Sequence, residues 1–185
     1  MSNGQKIIEL ATAEIGYSRR PATTGEIAGY AVLHKITLEE ARKLNLQWNK
    51  FGDWFGLQYV PYCMQFCCKM YSDAGFPIKG DWAKGFASVP NALKHFTESN
   101  ELTQYPQAGD LVIFDWNGDK NPEHVGIFVS HNNNGTINTI EGNTSDSNPS
   151  NGGCVEPKIR KLTLVEAFIH PKILDKETLN GTSLA

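Results

Sequence analysis

The 185-residue chain carries no excess of positive charge: seventeen Lys and Arg against twenty Asp and Glu leave a formal net charge of −3. Nucleic-acid binders ordinarily present a basic face, so that class is excluded. The same balance supplies no attraction to anionic membranes or polymers. No apolar run approaches the roughly 20 residues that cross a bilayer, and no membrane insertion is expected. Met1 to Gly16 lacks the basic start and continuous apolar stretch of a secretory leader. The expectation is synthesis in the cytoplasm without a signal peptide, where thiols stay reduced. Cysteine is sparse, and Cys63, Cys67, Cys68 and Cys154 are expected as thiols. Internal repeats are missing too, which excludes solenoids and propellers.

What is present is ordinary globular material. Hydrophobic residues make up 40% and charged residues 20%, enough for one domain with a core that folds without staples. Ser2-Asn3-Gly4-Gln5 reads as a capping box opening a helix that Gly16 ends. Residues 17–36 read as irregular, and Thr37-Leu38-Glu39-Glu40 opens a short second helix. After an aromatic stretch (Trp48, Phe51, Trp54, Phe55, Tyr59, Tyr62) comes a helix led by Cys63. Its buried stripe is Phe66, Cys67, Met70 and Ala74, and Gly75 is its C-terminal cap. Ser88 caps another helix. The second half changes period. Leu111-Val112-Ile113-Phe114 is a strand buried on both faces, followed by strands at 124–129, 137–141, 155–160 and 167–169. Helices first and strands later indicate an α+β fold on an antiparallel sheet of about five strands.

Two positions carry chemistry. Cys63 follows Pro61-Tyr62 in the first turn of a helix, and His124 opens a strand. A thiol attacks only as thiolate. Free cysteine titrates near about 8.5, and reactive sites bring it to roughly 3.5–7.5. A helix N-terminus contributes roughly 0.3–1 kcal/mol toward this. One pKa unit corresponds to about 1.36 kcal/mol. An imidazolium must supply the rest, and His124 is the candidate. Gly126, on the same strand face, implies close approach of another element, taken here as the Cys63 helix. Glu141 and Asn143 point to one face if Gly142 keeps the chain extended, so Glu141 can orient the imidazole and Asn143 support it. Cys67, Cys68 and Cys154 read as small core residues. His34, His95, His131 and His170 read as surface or loop residues, and Asp110 as a turn residue.

Two stretches of the chain have spacings that bear on metal binding. Cys63 and Cys67 are four apart on one helix, but no second Cys/His pair follows at zinc-finger spacing. Asp115, Asn117, Asp119 and Asn121 place side-chain oxygens at alternate positions like a calcium loop, but Gly118 comes two places too early for an EF-hand. No metal and no cofactor are expected, with that loop the calcium candidate.

These segments resemble a CHAP domain. Asn49-Lys50-Phe51-Gly52-Asp53-Trp54-Phe55-Gly56, Pro61-Tyr62-Cys63 and Ala74-Gly75 look like its first half. Gly109-Asp110-Leu111-Val112-Ile113-Phe114, His124-Val125-Gly126-Ile127-Phe128-Val129 and Ile140-Glu141-Gly142-Asn143-Thr144 look like its second. The resemblance implies a papain-like fold related to the NlpC/P60 group. It covers about 45–170 within a single domain of 1–172, with 173–185 as tail or linker. It implies a cysteine amidohydrolase or peptidase acting on bacterial peptidoglycan, as in phage endolysins and autolysins. Cys63 would be the nucleophile, His124 the base, Glu141 the orienting acid and Asn143 the accessory polar group. Tyr62 stands where many relatives have Trp or Gln, which leaves the second oxyanion donor open. Tyr62, Gln58 and Trp116 are the candidates for that donor or for substrate contact. The expected partner is peptidoglycan, reached after release from the cell, with the chain a monomer unless joined to a wall-binding module. N-acetylmuramoyl-L-alanine amidase and peptidoglycan endopeptidase both stay open. So do a non-catalytic wall-binding domain and an intracellular cysteine protease or effector acting on proteins.

Overall fold

The computed structural model describes residues 1–175. Helices α1 (Asn3–Ala13), α2 (Thr24–His34), α3 (Leu38–Lys43), α4 (Lys50–Phe55), α5 (Cys63–Ala74) and α6 (Val89–Glu98) occupy the first half. Strands β1 (Arg20–Pro21) and β2 (Gln47–Trp48) pair there as a small ribbon. The main sheet contains β3 (Leu102–Thr103), β4 (Leu111–Phe114), β5 (His124–His131), β6 (Thr136–Thr144), β7 (Cys154–Lys161) and β8 (Val165–Ile169). Its order is β3-β8-β4-β5-β6-β7, antiparallel throughout. The architecture is the expected α+β, papain-like one. The sixth strand is the two-residue edge β3, too short to show a period.

Helix starts follow local chemistry. The side chains of Ser2, Thr23, Thr37, Asn49 and Ser88 each accept a backbone N–H of the first turn, and the first three form full capping boxes with Gln5, Glu26 and Glu40. Such caps contribute about 1 kcal/mol each. The box Thr23–Glu26 corrects the reading of 17–36 as irregular: α2 lies inside it. Periodicity hid this helix because Gly25 and Gly29 interrupt it, and its Val32 and Leu33 face solvent, 81% and 76% exposed. A helix without one apolar stripe has no 3.6-residue signal to read.

The sheet is covered on both faces. Leu111, Ile113, Val125, Ile127, Ile140, Val155 and Ile169 pack toward Ile7 and Ala11 of α1 and Phe66, Met70 and Ala74 of α5. Val112, Phe114, Phe128 and Ile137 form a second cluster with Trp116, Leu162, Leu164, Val165 and Phe168. This is why Leu111–Phe114 is continuously apolar. Phe66 alone, fully buried, contributes about 1.5–3 kcal/mol by leaving water.

Two glycines set the spacing between elements. A Cβ at Gly142 would lie 2.6 Å from Cβ and Cγ of Phe66, so α5 rests against β6 at Gly142. A Cβ at Gly126 would instead lie 2.7 Å from Cγ of Glu141. The close approach at Gly126 is therefore by a neighbouring side chain and not, as expected, by the Cys63 helix. At the C-terminal end, Lys172–Asp175 form a 3-10 turn with Leu174 buried, and its carbonyl accepts from the Asn3 side chain. The expected tail thus starts as docked structure through 175, and its remainder lies outside the described residues.

Candidate active site

Cys63 is the first residue of α5, and α5 differs from its neighbours at this end. Tyr62 precedes it with φ −112° and ψ 14° and gives no side-chain cap. The other five helices all have one. The leading N–H groups of a helix have no intrahelical acceptor. Here no side chain takes their place, so the positive end of the helix dipole is left for another acceptor. The Cys63 side chain is 3% exposed, yet it lines a pocket of about 400 Å³ with Leu57, Val60, Pro61, Val89 and Pro122. Cys67 and Cys68 point inward. Burial pushes the Cys67 thiol well up and the Cys68 thiol to about 12. All four cysteines are free, and Cys154 is half-buried beside Ser18, not a core residue.

His124 opens β5 and is fully buried. Nε2 lies 3.0 Å from Oε2 of Glu141. Nδ1 has no aligned hydrogen bond, and the Cys63 thiol sits close enough to act on the ring. Burial alone would lower the imidazole's pKa. The interactions with Cys63 and Glu141 outweigh it and raise the value to about 9. Trp116 covers the ring, 5.8 Å between centroids, and itself stacks on Phe114 at 4.9 Å. Its Nε1 is buried and unpartnered among the described residues.

Glu141 is fully buried and held by three side chains. Besides the imidazole, Oε1 accepts from Thr139 Oγ1 at 2.6 Å. Arg160 grips both oxygens, Nε to Oε1 at 2.9 Å and Nη2 to Oε2 at 2.5 Å. Burial would raise the carboxyl, but the bonds from Arg160 and His124 bring it to about 2. A carboxylate so held stays ionised and keeps the ring N–H on Nε2, as orienting acids do in hydrolase triads. Arg160 in turn lies over Trp116, 5.0 Å from the ring centroid.

The structure brings together Cys63, His124 and Glu141. It does not bring in Asn143. That residue is the bulge between Gly142 and Thr144, at φ 62°, so the alternation that would have paired it with Glu141 breaks. Its amide donates to the Ser150 carbonyl and Asn151 Oδ1, and its Oδ1 accepts from Arg19. Tyr62 is corrected as well: it is fully buried, stacks on Phe51, and donates its hydroxyl to the Gly153 carbonyl at 2.7 Å. Gln58 is committed to Asn49, donating to its carbonyl and accepting from its N–H. Neither side chain is free to serve an oxyanion. Trp116 is a lid on the imidazole.

The calcium candidate divides. Asp115, Asp119 and Glu123 offer carboxylate oxygens within 4.8 Å of one another, and Glu123 was not among the expected ligands. Asp115 accepts the backbone N–H of Asn117, Gly118 and Lys120, and Asn117 Nδ2 bridges Asp119 and Glu123. The oxygens are occupied by the loop's own donors, as in a polar turn. Asp110 accepts the Gln107 N–H in a turn and also pairs with Nδ1 of His170 at 2.7 Å, so that His170, in the loop after β8 as expected, is anchored to the start of β4.

Arg160 and Thr139 were missed in the sequence. Thr139 was readable, being two residues from Glu141 on the same strand face. Arg160 needed the pairing of β6 with β7, and the polar loop between them hides that register.

A thiol at an uncapped helix start, facing an imidazole that a buried carboxylate orients, is the site of a cysteine hydrolase. The sequence comparison agrees: the family model described as CHAP domain matches residues 52–143. That span holds Cys63, His124, Glu141 and Asn143, and the chain belongs to the CHAP domain family, whose members are generally hydrolytic. No curated protein matches the chain.

Proposed function

We propose that the protein hydrolyses an amide bond of bacterial peptidoglycan through a Cys63 thioester. The observation that carries this reading is the division of the His124 ring: Nε2 is committed to Glu141, while Nδ1 is left beside the Cys63 thiol. The thiolate attacks the carbonyl carbon. The uncapped N–H groups of α5 receive the developing oxyanion, an interaction stronger in the transition state than before it. Nδ1–H protonates the leaving amine. Water, deprotonated at the same nitrogen, then releases the acyl group and restores the thiol. Glu141 remains ionised throughout and Arg160 holds it in place. The chain works on the wall after release from the cell, as a monomer or beside a wall-binding module.

The test is digestion of purified sacculi by the protein and by Cys63→Ser, with new termini identified by mass spectrometry. The expected result is new free amines with the native protein alone. An amine on the L-Ala next to muramic acid identifies an amidase, and one on another peptide residue an endopeptidase. Sacculi left intact, with a protein substrate cleaved instead, would overturn the wall reading. Iodoacetamide at neutral pH should modify one thiol stoichiometrically; four sluggish thiols would indicate a binding domain.

A further inference from the structure

A second pocket, of about 260 Å³, lies on the other side of the segment leading into Cys63. Val60 and Pro61 line both it and the pocket that holds the thiol. Its remaining lining includes Arg19, Gln47, Tyr59 and Asn151. The site is built around Arg19. A Cβ at Gly153 would lie 2.4–2.8 Å from Nε, Cδ and Cγ of Arg19, so the side-chain stem fills a slot that only glycine leaves open. The guanidinium is then held by neutral groups: Nη1 donates to Asn151 Oδ1 at 2.8 Å and Asn143 Oδ1 at 3.5 Å, and Nη2 to the Asn151 carbonyl at 3.1 Å.

The nearby cations contrast with it. Arg20 pairs with Glu26 and Lys50 with Glu14. Among the described residues Arg19 has no carboxylate partner. A half-buried guanidinium fixed in place, uncompensated, and opening on a cavity is arranged for an anion from outside. Its planar fork matches a carboxylate. The protein's net charge of −3 would otherwise work against acidic substrates, so a local fixed cation also sets where such a substrate can sit.

We infer that this pocket is a substrate subsite that binds a free carboxylate of the peptide being cleaved, with Arg19 as its specificity-determining residue. The two pockets then hold one peptide across Cys63: an apolar portion among Leu57, Val89 and Pro122, and an acidic portion at Arg19. Asn143 positions the guanidinium and the loop that carries Asn151. The inference rests on the hydrolase reading for what the peptide is, but not for whether the pocket binds it.

Binding should be measured by calorimetry in the Cys63→Ala background, which removes turnover. The probes are two synthetic wall peptides identical except that one ends in a carboxylate and the other in a carboxamide. The carboxylate peptide is expected to bind about tenfold tighter or more, the size of a charge-assisted contact. Arg19→Gln should bring the ratio to near one, and Arg19→Lys should restore part of it. A merely structural role would weaken both peptides alike and leave the ratio standing. Gln47→Glu leaves Arg19 and its anchors intact while placing a competing carboxylate in the pocket, and should also abolish the preference. Equal binding of the two peptides, or a preference that survives both Arg19→Gln and Gln47→Glu, overturns the subsite. Sacculi that stay intact alongside an Arg19-dependent preference would refute the wall hydrolase and leave the subsite standing.

Discussion

Gly126 is bare because Glu141 needs the space. The carboxylate reaches under the imidazole only where the neighbouring strand has no side chain, so Gly126→Ala should displace Glu141 and not α5. The expected outcome is a fall in kcat of on the order of 10²-fold or more, since misplacing a catalytic group by about 1 Å costs that much. Urea denaturation should show only a modest change in stability. Glu141→Gln tests the same residue more harshly. It keeps the shape but loses the charge, leaving the half-buried Arg160 without its carboxylate, which should cost about 1–3 kcal/mol. Hydrolysis should fall by on the order of 10⁴-fold, as when a triad carboxylate becomes an amide. Activity within tenfold of the native protein would remove Glu141 from the machinery.

At the scale of elements, the contact between α5 and β6 decides where Cys63 stands. Phe66 presses on Gly142, and the atoms that a new methyl would meet are Cβ and Cγ, which cannot swing aside. Gly142→Ala should therefore destabilise by about 1–3 kcal/mol, the usual cost of overpacking, read as a lower urea midpoint. The segment before α5 is held from the far side of the fold, because Tyr62 donates to the Gly153 carbonyl. That carbonyl also accepts the Arg19 N–H, so Tyr62→Phe leaves it satisfied. The expected loss is about 0.5–1.5 kcal/mol, one ordinary hydrogen bond, with little effect on hydrolysis.

For the whole molecule, the buried pair of His124 and Glu141 links stability to pH from both sides. The folded imidazole titrates at about 9 against an ordinary 6.5. Its contribution is complete below about 6.5 and is lost as pH rises through about 9. Glu141 is depressed to about 2 from an ordinary 4.5, so its contribution is complete above about 4.5 and is lost as pH falls toward about 2. The urea midpoint should decline from pH 6.5 to pH 9.5 more steeply in the native protein than in His124→Gln. Parallel profiles would remove the imidazole as the cause. Hydrolysis should share the alkaline limb, because the leaving amine needs the proton that His124 loses there.

Much of this was legible in one dimension. Capping boxes at Ser2 and Thr37, the apolar run at 111–114 and the switch from helical to strand period are local patterns, and local sterics and hydrogen bonding produce them wherever they occur. Cys63, His124 and Glu141 could be named because each sits at the start of an element or on a known strand face. Other features depended on contacts between distant segments. Whether Gly126 faced a helix or a carboxylate, which residue of β7 met Glu141, and that a bulge turned Asn143 toward Arg19 are matters of register and packing. These are decided by how two whole surfaces fit, and a bulge of one residue reverses every side chain beyond it. Chain order determined which groups were available for chemistry, and only the fitted sheet and helix decided which of them meet.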